Sequence, residues 1–173
     1  MYFGIHLILR AHAIKYILYA GGDIVKLLKW LSVADRFTKI YLDNQLAPLG
    51  INSSQHMYLL KVCNQPGILQ DSFLNSFYVH PSNIVRMIAA LEKKGFLTRV
   101  PCENDKRTWR LYPTQKALDI ADRIYAACNE TEAILTAELS GEEQSIFERL
   151  LLQVGKQITN ELNIERMEDE FDE

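Results

Sequence analysis

His80-Pro-Ser-Asn-Ile-Val-Arg-Met-Ile-Ala-Ala-Leu-Glu-Lys-Lys-Gly95 runs into Phe96-Leu-Thr-Arg-Val100, then into Pro101-Cys-Glu-Asn-Asp-Lys-Arg107 and Thr108-Trp-Arg-Leu-Tyr-Pro113. This order of residue types predicts a short helix, a strand, a polar charged loop and a second strand. Pro81 suits a first helical turn, where its missing N–H would have no partner in any case. Ile84, Ile88 and Leu91 recur at helical spacing and give one buried stripe. Gly95 supplies the positive φ that often closes a helix. The β-branched and aromatic residues on either side of the polar loop predict a hairpin.

The opposite side of that helix carries Pro81, Ser82, Asn83 and Arg86 near its N-terminus. Short polar groups and one arginine suit base edges and phosphates in a major groove. The hairpin loop adds Asn104, Lys106 and Arg107, suited to a phosphate backbone or a narrow minor groove. Residues 79–113 hold seven basic side chains against three acidic ones, a net charge of +4. Charge alone does not separate a nucleic-acid surface from a solvated helix and hairpin; the order of elements and the loop sequence do.

Residues 51–118 resemble the winged helix-turn-helix of the MarR family of bacterial transcriptional regulators. The likeness is carried by Pro-Ser-Asn-Ile-Val-Arg-Met (81–87), Leu-Glu-Lys-Lys-Gly-Phe-Leu-Thr-Arg (91–99), Asn-Asp-Lys-Arg (104–107) and Leu-Tyr-Pro-Thr-Gln-Lys-Ala (111–117). With flanking helices it extends over about residues 23–162. The resemblance implies a mainly α fold with a small β-hairpin wing. It also implies Asp105 orienting Arg107, which the family inserts into the minor groove. By the same token it points to a homodimer on a pseudo-palindromic double-stranded DNA operator, acting as a repressor that a small aromatic effector relieves. No cofactor and no metal are implied.

Charge is unevenly distributed. The net charge is −3 over 173 residues, yet residues 140–173 hold ten acids against three bases. An acidic protein can bind DNA when its basic groups share one face. Hydrophobic and charged fractions of 48% and 24% are those of a globular chain. Cys63, Cys102 and Cys128 are odd in number and far apart, which argues against a disulfide framework and for a reducing cytoplasm. Residues 1–20 are apolar but interrupted by Arg10, Lys15, His6 and His12. That pattern fits neither a secretory signal nor a membrane span. A helical extension on the dimer core and a start assigned too far upstream are both open readings of residues 1–22.

Taken in order, residues 23–50 predict a dimerisation helix capped by Asp23. Its stripe runs through Ile24, Leu27, Leu28, Leu31, Ala34, Thr38, Tyr41 and Leu42, and Pro48 and Gly50 end it. Residues 51–113 form the DNA-binding lobe. Within it Asn52 and Gln55 suggest a capping box, and Ile68–Tyr78 is the expected first helix of the helix-turn-helix. Residues 114–164 predict two further dimerisation helices, one capped by Thr114, the other by Ser140 with Glu143. The stripe of the first of these is expected at Ala117, Leu118, Ala121, Ile124, Tyr125, Cys128 and Leu135. Residues 165–173 are an acidic tail.

Several positions depart from the family pattern. Leu69 stands at an expected Ser or Thr cap, Leu74 at a small residue, Tyr78 at a turn glycine and Ala117 at a frequent glycine. His80 replaces the usual capping aspartate; it reads either as a weaker cap or as a pH- or metal-sensing group. Val85 stands where the family often has Ser or Thr, so the base code does not transfer.

No Gly-rich phosphate loop, H-E-x-x-H or G-x-S-x-G occurs, so the sequence nominates no enzyme chemistry. His, Glu and Cys form no cluster at metal-ligand spacing. By the same resemblance His56, Met57, Trp30, Phe37 and Tyr41 could line an effector cleft, although residues of these types more often form core. Two alternatives to the repressor reading stay open: a winged helix that binds protein rather than DNA, and a redox-responsive regulator acting through Cys102.

Overall fold

The structure is a computed structural model that describes residues 26–73, 81–102 and 108–162. Asp23, the N-terminal extension and the acidic tail lie outside those residues. The chain divides into two units, residues 1–41 and 42–173.

The first unit is described from Lys26 onward as the leading part of helix α1 (Lys26–Leu46). Lys39 pairs with Asp35 one turn earlier at 2.6 Å. Lys29 and Arg36 lie over the rings of Trp30 and Phe37. Leu27, Leu28, Trp30, Phe37 and Ile40 are exposed.

In the second unit the last turns of α1 bury Leu42 and Leu46, one turn apart. A 3₁₀ turn at Ala47–Leu49 and Gly50 at φ +80° then redirect the chain, as Pro48 and Gly50 predict. Next come α2 (His56–Asn64), β1 (Ile68–Leu69), a 3₁₀ turn at Gln70–Ser72, α3 (Pro81–Lys93), β2 (Leu97–Pro101), β3 (Trp109–Pro113), α4 (Gln115–Leu135) and α5 (Gly141–Glu161). The three strands form one antiparallel sheet in the order β1-β3-β2. The molecule is thus mainly helical with a small sheet.

One core joins these elements. Tyr58, Leu59 and Val62 of α2 meet Ile84, Ile88 and Leu91 of α3, Leu97 and Leu111 of the hairpin, and Ala117, Ile124 and Ala127 of α4. The ring of Phe73 stacks on Tyr58 at 5.4 Å. Burial of such a cluster is the main drive to fold a domain of this size.

Four local expectations are corrected. Ile68 and Leu69 do not begin a helix: they pair with Leu111 and Arg110 as an edge strand, which satisfies backbone groups that a helix start would leave open. Asn52 and Gln55 do not form a capping box. The Asn52 side chain accepts from Ser54 N at 3.1 Å, and Gln55, 4% exposed, turns its Oε1 to Lys94. Thr114 precedes α4 without a side-chain cap, because its hydroxyl donates to Gly95 O and Phe96 O instead. The buried face of α4 is Ala117, Ile124, Ala127 and Thr131, whereas Leu118, Tyr125 and Leu135 are exposed. Ser140 and Glu143 do close a capping box at the start of α5, and no residue of that helix is buried.

Candidate nucleic-acid interface

Helix α3 begins at Pro81 and is strongly two-faced. Ile84, Ile88 and Leu91 face the core, as the 3.6-residue period predicts. That leaves Pro81, Ser82 and Arg86 exposed and Asn83 half-buried. The Arg86 guanidinium donates to Asn83 Oδ1 at 3.1 Å, one turn back. A cation and an amide are therefore held together on the outer side of the first two turns. The four recognition-helix candidates of the sequence share one helical end.

The C-terminal end of α3 is fastened by lysines. Lys94 Nζ donates to Gly50 O and to Gln55 Oε1, each at 2.8 Å. Lys116 Nζ donates to Lys94 O and lies 4.2 Å from the centre of the Phe96 ring. Gly95, at φ +74°, completes the turn into β2.

In the hairpin, alternation sends Leu97, Arg99, Leu111 and Trp109 to one side and Thr98, Val100, Arg110 and Tyr112 to the other. The Arg99 guanidinium meets Glu92 Oε2 through Nε at 2.8 Å and through its terminal nitrogen at 2.5 Å. It also lies 5.3 Å from the Trp109 ring centre. Arg110 donates to Gly67 O at 2.9 Å. The hairpin stays paired as far as Cys102, whose N–H donates to Thr108 O at 2.9 Å.

Asn104, Asp105, Lys106 and Arg107 of the loop lie outside the described residues, as do Leu74, Tyr78 and His80. In the sequence Arg110 counts only toward net charge, and Lys94 and Arg99 only toward that charge and the 91–99 stretch that carries the resemblance. In the structure each is bonded within the fold. The available signal was alternation: Arg99 sits two residues from buried Leu97 and opposite buried Leu111, a place where a cation needs a partner.

The remaining candidates are spread out. Trp30, Phe37 and Tyr41 belong to the first unit, His56 and Met57 to the second. Burial lowers the pKa of His56, offset in part by its bond to Ser53 O at 2.7 Å and by the charge of Asp43. Cys63, Cys102 and Cys128 are free thiols, each half-buried, and burial pushes Cys63 and Cys128 up. Among the described residues no group of His, Cys, Asp and Glu is placed to hold a metal ion, and no helix is long and apolar enough to cross a membrane.

Comparison with known proteins places this geometry. Residues 51–109 match the model of the MarR family. The chain is 26% identical over 110 residues to an uncharacterized HTH-type transcriptional regulator, YybA, of Bacillus subtilis (strain 168), a match covering 64% of this chain and 73% of the relative. A MarR protein from Peptoclostridium difficile superposes with a TM-score of 0.72 at 25% identity, covering 82% of this chain and 92% of that one. A mutant MarR from E. coli, solved with operator DNA, is similar in fold: TM-score 0.68 at 22% identity, over 77% of this chain and 99% of that one. The part of the chain that carries this likeness to the MarR family in sequence is residues 51–109, from the turn before α2 to the first residue of β3.

Proposed function

We propose that this chain is a sequence-specific double-stranded DNA-binding regulator of transcription that acts as a homodimer. The observation that carries the reading is the two-faced α3, whose buried Ile84, Ile88 and Leu91 leave Pro81, Ser82, Asn83 and Arg86 on the outer side of its first turns. On this reading α3 enters a major groove, and Asn104, Lys106 and Arg107 reach the flanking backbone or minor groove with Asp105 orienting Arg107. Members of the family are transcriptional regulators, and the chain is not an enzyme.

One recognition helix reads only a few base pairs. Pairing two copies doubles the contact and sets two half-sites about one helical turn apart, hence a pseudo-palindromic operator. The exposed apolar residues of α5, including Phe147, Leu150, Leu151, Val154 and Ile158, support a second copy as their cover. Residues 23–50 and 114–164 are the proposed dimerisation segments. The chain acts in the cytoplasm as a repressor by occupying a promoter. A small aromatic effector relieves it by favouring a dimer with misplaced recognition helices.

A footprint on the DNA upstream of the protein's own gene tests this, giving site, symmetry and half-site spacing together. Two protected tracts about 10 base pairs apart are expected, with affinity falling steeply as salt rises because phosphate contacts release counterions. An absence of protection, or salt-independent capture of a protein instead, would leave the winged helix as a protein-interaction module.

A further inference from the structure

We propose that Glu92, Arg99 and Trp109 form a clamp that sets the angle between α3 and the hairpin, which makes Arg99 a positioning residue for DNA recognition. The proposal rests on the DNA-binding reading above. It concerns residues that face inward rather than those offered to the nucleic acid.

The strand pattern dictates the arrangement. Leu97 and Leu111 are buried, and Arg99 follows Leu97 on the same face of β2, paired in register with Leu111 on β3. Its side chain is 28% exposed and that of Glu92 35%. A guanidinium in such a place is costly unless paired. Glu92, in the last turn of α3, takes both Nε and a terminal nitrogen of Arg99 on one carboxylate oxygen. Trp109 on β3 offers its ring face to the same guanidinium at 5.3 Å, an arrangement available to the planar arginine and not to lysine. One side chain thereby joins α3, β2 and β3.

The consequence is leverage. Strand β2 spans five residues, roughly 13 Å from first Cα to last. A tilt of about 10° relative to α3 would carry its far end by about 2 Å, more than the tolerance of a preorganised contact. Gly67 and Arg110 fasten the hairpin at β1, but of these two arginines only Arg99 ties it to α3.

The test uses the full-length protein and the duplex that the wild type enriches from a random-sequence library, with dissociation constant, salt slope and melting temperature as readouts. Glu92→Gln removes a negative charge from a basic stretch, so simple electrostatics predicts tighter binding. The clamp predicts binding weaker by about 3- to 30-fold, the span usual for coupling through packed networks. Arg99→Gln should weaken binding to a similar degree with the salt slope unchanged, and the double variant should be no worse than either single one. Trp109→Phe keeps a ring face and should bind nearly as wild type, whereas Trp109→Ala should not.

A single variant that unfolds is replaced by Glu92→Met with Arg99→Met, since exchanging a half-buried ion pair for apolar groups tends to preserve stability. A folded double variant with weakened binding supports the clamp. Wild-type affinity in that variant, tighter binding by Glu92→Gln, or a salt slope reduced by about one in Arg99→Gln overturns it. If the wild type enriches no duplex at all, the DNA-binding reading fails first and the clamp falls with it.

Discussion

Lys94 Nζ donates to Gln55 Oε1 at 2.8 Å, joining two residues 39 positions apart. Gln55 is 4% exposed and immediately precedes α2, while Lys94 follows α3. The same ammonium also takes Gly50 O. The bond therefore holds the end of α3 against the start of α2. Lys94→Met keeps the aliphatic stem but leaves a buried amide oxygen without its donor. It should cost about 1–3 kcal/mol, read as a lower urea midpoint at unchanged slope.

Gly67 is held by two hydrogen bonds in a left-handed backbone conformation. Its N–H donates to Leu111 O at 2.7 Å, its carbonyl accepts from Arg110, and its φ is +87°. A Cβ there would approach Tyr112 Oη to 3.2 Å. Gly67→Ala must adopt a left-handed conformation, at about 1–2 kcal/mol, and must also displace the tyrosine. A lower melting temperature is expected, with Tyr112→Phe restoring part of it by removing the hydroxyl.

His56 makes stability depend on pH. Its bond to Ser53 O requires a proton on Nδ1, and burial disfavours a second proton on the ring. The folded pKa therefore lies below the ordinary 6.5 at which the unfolded chain titrates. Between those values the unfolded state binds more protons, so stability is full above about 6.5 and declines as pH falls through the folded value. Unfolding in denaturant at a series of pH values checks this. His56→Gln should flatten the profile in that window; an unchanged slope would assign the acid sensitivity to carboxylates.

Local periodicity was legible in the sequence, and partners far along the chain were not. Ile84, Ile88 and Leu91 announce a buried stripe because their spacing matches the helix itself. Ser140 and Glu143 announce a cap because both partners lie within one turn. Ile68 and Leu69 do not announce a strand, since what makes them one is Leu111 and Arg110 in β3. Gln55 looked like the end of a capping box until Lys94 took its side chain. The shift of α4's buried face to Ala127 and Thr131 has the same origin: α2 decides which residues are covered, and Thr131 satisfies its hydroxyl on Ala127 O. At the candidate site, the outer residues of α3 were readable, but the inward bonding of Arg99 was hidden in a charge total.

Asp105 and Arg107 give a test with opposing signs. If Asp105 orients Arg107, Asp105→Ala should weaken binding to the selected duplex although it deletes a negative charge. Arg107→Ala should cost about 1–3 kcal/mol if that side chain reads a groove. Tighter binding by Asp105→Ala would leave the aspartate as an ordinary repulsive charge, and an unchanged affinity in Arg107→Ala would remove the arginine from the interface.

Arg86 separates reading from attraction. Its guanidinium is already held by Asn83 Oδ1 at 3.1 Å, on the exposed side of α3. A side chain fixed before binding loses less freedom on meeting a base edge. Arg86→Ala should cost about 1–3 kcal/mol on the selected duplex and relax the sequence preference at one position in each half-site. Arg86→Lys retains the charge and loses the planar fork, so non-specific affinity should persist while the preference disappears. Asn83→Ala should produce a smaller loss of the same kind unless Asn83 itself meets a base. Competition against random duplex distinguishes these cases: a uniform loss in Arg86→Ala, with the sequence preference intact, would make Arg86 a phosphate contact and transfer base reading to other residues of the helix.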